Sequence, residues 1–180
     1  MAISTGFADG WTPDERTPPV AGLCHAVVTN VMENGDGKSS DMIIEFEVVA
    51  HSVPMQEGTI HREYCPKKMK MMWLIHRLAV AIGLITVEQQ KEHQKNGTAP
   101  EYDFESCIGR HVMIGLQDEE YEGKVRVKAA GRYYHPDNSR CVKWPKNISM
   151  LTAAGHDVKS QETAKSSAPA LPDDAFNGVV

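Results

Sequence analysis

Three cations recur at every second residue in the second half of the chain, Lys124, Arg126 and Lys128, and Arg132 follows them. Two residues is the period of a β-strand, so these side chains fall on one face while Val125, Val127 and Ala129 fall on the other, which predicts a core face and a cationic face. A row of cations along a strand suits a polyanion, because neutralising phosphates releases their counterions. Tyr133, Tyr134 and Trp144 come next in the chain and offer flat surfaces on which unpaired bases stack, at roughly 1–3 kcal/mol per base. The same row also serves as a guard against edge-to-edge aggregation, and tyrosines ending a strand commonly pack on a rim. Arg62 and Tyr64, in phase with each other in an earlier strand pattern, are secondary candidates for the same surface.

Residues 124–146 hold seven of the 19 Lys and Arg and one of the 24 acids, leaving 12 cations against 23 acids elsewhere. The formal net charge of −5 therefore does not exclude an anionic ligand, since the surface can be polarised. Asp118, Glu119, Glu120 and Glu122 cluster just before the cation row, and carboxylates of this kind hold divalent ions in metal-dependent nucleases. No second carboxylate set with a neighbouring lysine accompanies them, and neither GxGxxG nor P-loop spacing occurs, so they read as a solvated turn, with no enzyme and no cofactor expected. The four cysteines, Cys24, Cys65, Cys107 and Cys141, lie far apart with no CxxC pair and read as free thiols of a reducing compartment. His25 adjoins Cys24, but neighbours on a strand point to opposite faces, so no metal is expected there.

The elements that must position these residues come from periodicity. Residues 1–19, rich in Pro, Gly, Thr and acid, predict an extended arm with Trp11 pinning it to the body. "VAGLCHAVVTNVM" and "MIIEFEVVA" flank the turn-rich "ENGDGKSSD" and predict a long hairpin, and "TIHREYC" adds a third strand. Met71, Leu74, Ile75, Leu78 and Ala81 sit at helical spacing, with Pro66 in the first turn and Gly83 as the stop. Lys67, Lys68 and Lys70 oppose the helix dipole there, and the methionines Met69, Met71 and Met72 are expected to pack on the sheet. After a polar helical excursion, "CIGRHVMIGLQ" and "KVRVKAAGRYY" form a second hairpin around "DEEYEG".

Three strands, a helix and two strands is the order of the OB-fold, so an all-β domain with one helix, a five-stranded Greek-key barrel (β-β-β-α-β-β), is expected over residues 20–151. An SH3-like or mixed α+β sheet fits the same order. Residues 152–180, turning to Ala, Ser, Lys, Gln and Pro, predict a disordered tail. No apolar run reaches the roughly 18–20 residues of a membrane span and the start lacks a secretory pattern, which predicts a cytoplasmic setting without membrane contact.

The helix "KKMKMMWLIHRLAVAIGL", the strand opening "FESCIGRHVMIGL" and "YEGKVRVKAAGRYYHP" together resemble a family of small phage and prophage proteins, regarded as OB-fold single-stranded DNA-binding proteins. The similarity runs over roughly residues 20–145. It implies a non-enzymatic protein that coats single strands during phage DNA replication or recombination, in the host-cell cytoplasm. Asp173, Asp174 and Phe176 are similar to the acidic, Phe-ended tip by which bacterial single-strand binders recruit replication and recombination proteins, although Ala175 intervenes and "NGVV" follows. That implies a partner-binding role for the tip, and an adaptor of a phage replication complex is the alternative function, with a small metal-dependent nuclease behind it. A homo-oligomer is compatible with all of these readings.

Overall fold

The computed structural model describes residues 17–35, 40–66 and 68–156; Trp11, Lys67 and the tail tip Asp173, Asp174 and Phe176 lie outside them, as does the middle of the first hairpin turn. Six strands form one antiparallel sheet: β1 (Gly22–Gly35), β2 (Ser40–His51), β3 (Ile60–Pro66), β4 (His111–Tyr121), β5 (Lys124–Lys128) and β6 (Tyr133–Tyr134). The order across the sheet is β3-β2-β1-β4-β5, with β6 also paired to β4. Three α-helices, α1 (Met72–Ala81), α2 (Val87–Asn96) and α3 (Ile148–Ala153), where one helix was expected, and three short 3₁₀ turns complete the described elements. None of these helices is long and apolar enough to cross a membrane.

The strands follow the expected alternation closely. Met42, Ile44, Phe46 and Val48 of β2 are buried with Cys24, Ala26 and Val28 of β1 and Val112, Ile114 and Leu116 of β4. Against this face packs α1 through Leu74, Ile75, Leu78, Ala79 and Ala81. Each large apolar side chain so buried stabilises the fold by roughly 1.5–3 kcal/mol relative to exposure. Gly83, at φ +78°, ends α1 with the expected αL stop: its N–H donates to Val80 O while that of Leu84 donates to Ala79 O. All four cysteines are free and buried. Burial pushes the thiols of Cys24 and Cys65 up to about 12, which leaves them inert as nucleophiles.

Three expectations need correction. Pro66 does not enter the helix but ends β3, and a 3₁₀ turn at Met69–Met71 intervenes before α1. Met69 is exposed, so only Met71 and Met72 of the methionine cluster pack on the core. Finally, the return strand of the second hairpin is two strands, which makes six where five were expected. Between them Ala130 (φ +48°) and Gly131 (φ +74°) take left-handed conformations and break the ladder. Two-residue periodicity cannot report such a break, because the apolar alternation resumes beyond it.

The second face of the sheet is covered too, but at one end. After β6 the chain crosses the lower part of β1 and β4: the Asn147 N–H donates to His25 Nδ1 at 3.0 Å, and Cys141 and Leu151 are fully buried. His25 and Met113, which face away from the main core, are thereby sealed. The same alternation puts Cys24 and His25 on opposite faces, where the Cys24 thiol meets Ile114 O.

Candidate nucleic-acid interface

Beyond Leu116, β4 leaves the body and pairs with β5 alone. Register places Gln117 opposite Lys128, Glu119 opposite Arg126 and Tyr121 opposite Lys124, so the three cations share one face with these three residues. Lys128 Nζ lies 2.5 Å from Glu119 Oε2, an ion pair by distance without hydrogen-bond geometry. The Arg126 guanidinium rests 5.1 Å over the Tyr121 ring. The cationic face is present, yet part of its charge is already answered within the hairpin. Its back is the expected core face only in part: Val127 and Ala129 reach the core, but Val125 is 71% exposed. The reason is positional, because the hairpin tip extends past the elements that cover the sheet.

Arg132 lies elsewhere, with its guanidinium folded over Gly115; a Cβ added to that glycine would come within 2.9 Å of it. Glycine at this strand position makes room for the arginine. Tyr133 and Tyr134 part company, as strand neighbours must. Tyr133 turns inward and is 2% exposed, so it offers no face to a base and is removed from the stacking candidates. Its hydroxyl donates to Glu63 Oε2 at 2.5 Å and meets His61 Nε2 at 2.9 Å, with Phe46 against its ring. Burial, then the charge of Glu63, pushes the phenol well above its ordinary value, so it remains a donor. Tyr133 thus ties β6 to β3, at the far side of the sheet order.

Tyr134 faces the other way into a cleft of about 830 Å³, lined also by Trp73, His76, Arg77, Asn138 and Arg140. Trp144 packs edge-on against Tyr134 at 5.6 Å, and the Arg77 guanidinium stands 6.0 Å over the same ring while Arg77 Nη1 donates to Gly131 O. Trp73 is half-exposed, and its ring lies so close to Gly131 that a Cβ there would fall 2.6 Å from it. Glycine is needed at 131 twice over, for its φ and for this contact. An exposed indole, a phenol and two guanidiniums beside one cleft can stack planar groups and neutralise anions.

The remaining candidates scatter. Arg62 Nε donates to Glu45 Oε1 at 2.6 Å, so its charge is engaged on the sheet surface, whereas Tyr64 is exposed. Of the acidic turn, Asp118 and Glu120 point from the opposite side of β4 to Glu119, so the four acids do not converge on one point.

Sequence reasoning missed Trp73, Arg77 and Arg140. The first two stand four apart on α1 and so share a face, while Leu74, Ile75 and Leu78 take the buried side. That spacing was the available signal, masked because an apolar helix makes its tryptophan look like core. No family model matches this chain, and no curated protein does either.

Proposed function

We propose that this chain is a sequence-tolerant single-stranded DNA-binding protein built on an OB-type barrel, which coats strands exposed in replication or recombination. The barrel reading is supported by the strand order and by Tyr133 of β6, which reaches Glu63 and His61 of β3 and so draws the two sides of the sheet together. The binding reading is carried by one observation: exposed Trp73, with Arg77 held over Tyr134, lines a single cleft with Arg140. Aromatic faces stack bases of any identity and guanidiniums pair with phosphates, which gives affinity without sequence readout. The cations Lys124, Arg126 and Lys128 extend the positive surface along the hairpin tip.

The test is a titration of a labelled single-stranded oligonucleotide of about 16 nucleotides, the upper site size of one OB fold. Saturable binding at low salt is expected, weaker for duplex DNA. Trp73→Ala should lose about 1–3 kcal/mol of affinity, roughly 5–150-fold, with an unchanged far-UV spectrum. Absence of saturable binding, or full affinity in the variant, would overturn the reading.

A further inference from the structure

Half of the eight histidines gather where the C-terminal segment crosses the sheet, beside the cleft that His135 and Asp137 also line. His135 Nδ1 and His156 Nδ1 each lie 3.5 Å from Asp137 Oδ2, and each of the three residues brings a ligand atom within 4.8 Å of the other two. Zinc ligands at about 2.0–2.1 Å in tetrahedral array sit roughly 3.3 Å apart, so the carboxylate already stands near a ligand-to-ligand edge from both imidazoles. We propose that His135, Asp137 and His156 form a three-ligand site for a divalent transition-metal ion, zinc being the ion its spacing fits.

Both halves of the site are set by backbone, independently of any ion. His135 and Asp137 belong to a turn closed by the Asn138 N–H on His135 O at 2.9 Å, with Pro136 in the position that pre-sets φ; the Asp137 N–H reaches His135 Nδ1 at 3.4 Å, a long contact that an ion on this nitrogen would replace. His156 follows Gly155 (φ +82°) in a 6→1 and 5→2 cap, in which the His156 N–H donates to Leu151 O and that of Gly155 to Thr152 O. Leu151, fully buried, fixes α3 to the sheet, and the cap turns the chain back toward Asp137.

A second layer of imidazoles supports the first. His25 Nδ1 accepts from Asn147 N–H, so its proton is on Nε2 and is donated to His111 Nδ1 at 2.8 Å. His111 then carries its own proton on Nε2, which removes it from the ligand set; its ring meets His156 edge-on at 5.8 Å. Two cations stand near. Lys146 Nζ is held by Pro136 O, and Arg110, bonded to Gly83 O, borders Gly83 together with the Nε2 edge of His135. The Asp137 carboxylate offsets this positive surround. Two imidazoles and a carboxylate leave a fourth position for water, the donor set of sites that hold zinc. An ion here would clamp the turn to the end of α3 and so fasten the covering segment to the sheet. His135 and Asp137 also line the cleft, but their ligand geometry does not depend on whether that cleft takes nucleic acid.

The experiment uses the full chain, stripped with a chelator and titrated with Zn²⁺ against a chromophoric chelator, then with Co²⁺ as a spectroscopic probe. One ion per chain is expected, with visible cobalt bands and no thiolate charge-transfer band. His156→Ala and Asp137→Asn should each weaken binding by more than the about 10–100-fold that loss of an outer-shell partner costs. Asp137→Asn keeps size and shape, so its far-UV spectrum separates lost ligation from lost folding. No stoichiometric binding, binding untouched by either variant, or a thiolate band pointing to the cysteines overturns the proposal.

Discussion

The two halves of β4 belong to one strand with one alternation, yet they live in different surroundings. From His111 to Leu116 every residue is buried, whereas from Gln117 to Tyr121 all but Glu119 are exposed. The base has neighbours β1 and β6 and is covered on both faces, by α1 and the main core on one side and by the C-terminal segment on the other. The tip has β5 alone and no cover. A strand buried on both faces reads as a continuous apolar run, and a strand covered on neither is free to carry charge on one side and valine on the other. Alternation therefore shows which residues share a face and leaves open whether that face is core, interface or solvent.

The comparison breaks most visibly at its tyrosines. Tyr133, paired with Ile114 at the base, should cost about 3–5 kcal/mol when cut to alanine, as large buried aromatics do, in urea unfolding followed by far-UV dichroism. Tyr133→Phe keeps the ring but orphans Glu63 and His61, at about 1–3 kcal/mol. Tyr121→Ala at the tip should stay within about 0.5 kcal/mol of the parent. Equal losses at 133 and 121 would abolish the distinction between base and tip.

Acid sharpens the same contrast. His25 is fully buried, and burial, then His111, His156 and Lys146, lowers its pKa from 6.5 to about 3. Below pH 6.5 the unfolded chain gains a proton that the folded chain refuses. Stability is thus full above pH 6.5 and falls toward pH 3 by about 1.4 kcal/mol per unit from this group. Unfolding midpoints measured with chelator present should show that slope, reduced by about one proton in His25→Gln. An identical slope in the variant would place the acid sensitivity elsewhere.

Much of this is legible in the sequence, and the illegible parts share a cause. The strand faces of Met42 to Val48, the apolar side of α1, the stop at Gly83 and the hairpin around Gly123 follow from local spacing alone. Local spacing cannot say what covers a face. Tyr133 reads as a stacking platform because nothing in its neighbourhood announces Glu63 and His61, about 70 positions earlier in the chain. Val125 reads as core because its strand alternates, although the cover stops short of it. Trp73 and Arg77 read as part of a buried helix, and the histidines His25, His111, His135 and His156 carry no motif because separate segments of the chain bring them together.

If the tip cations bind phosphates, their removal should appear in the salt dependence of binding more than in stability. Each phosphate that Lys124, Arg126 or Lys128 no longer neutralises should flatten the slope of log affinity against log salt by about 0.7 on a single strand. Fluorescence titrations at several salt concentrations measure this directly. An unchanged slope in Arg126→Ala would confine binding to the Trp73 cleft and leave the tip as a protected edge.

The smallest effect falls on the pair that joins the two charges of the tip. Lys128 and Glu119 have side chains about half exposed, at 51% and 44%, so water screens their attraction and ordering two long side chains offsets much of it. Glu119→Gln should shift stability by less than about 1 kcal/mol. Its effect on oligonucleotide affinity should have the opposite sense, a gain, because the carboxylate competes with phosphate for Lys128. The gain should vanish in Glu119→Gln combined with Lys128→Ala, since no cation is left to release. A measurable gain in affinity with no measurable loss of fold would separate a charge kept for a partner from a charge kept for the protein. A loss of affinity in the single variant would mean that Glu119 holds Lys128 where a phosphate needs it.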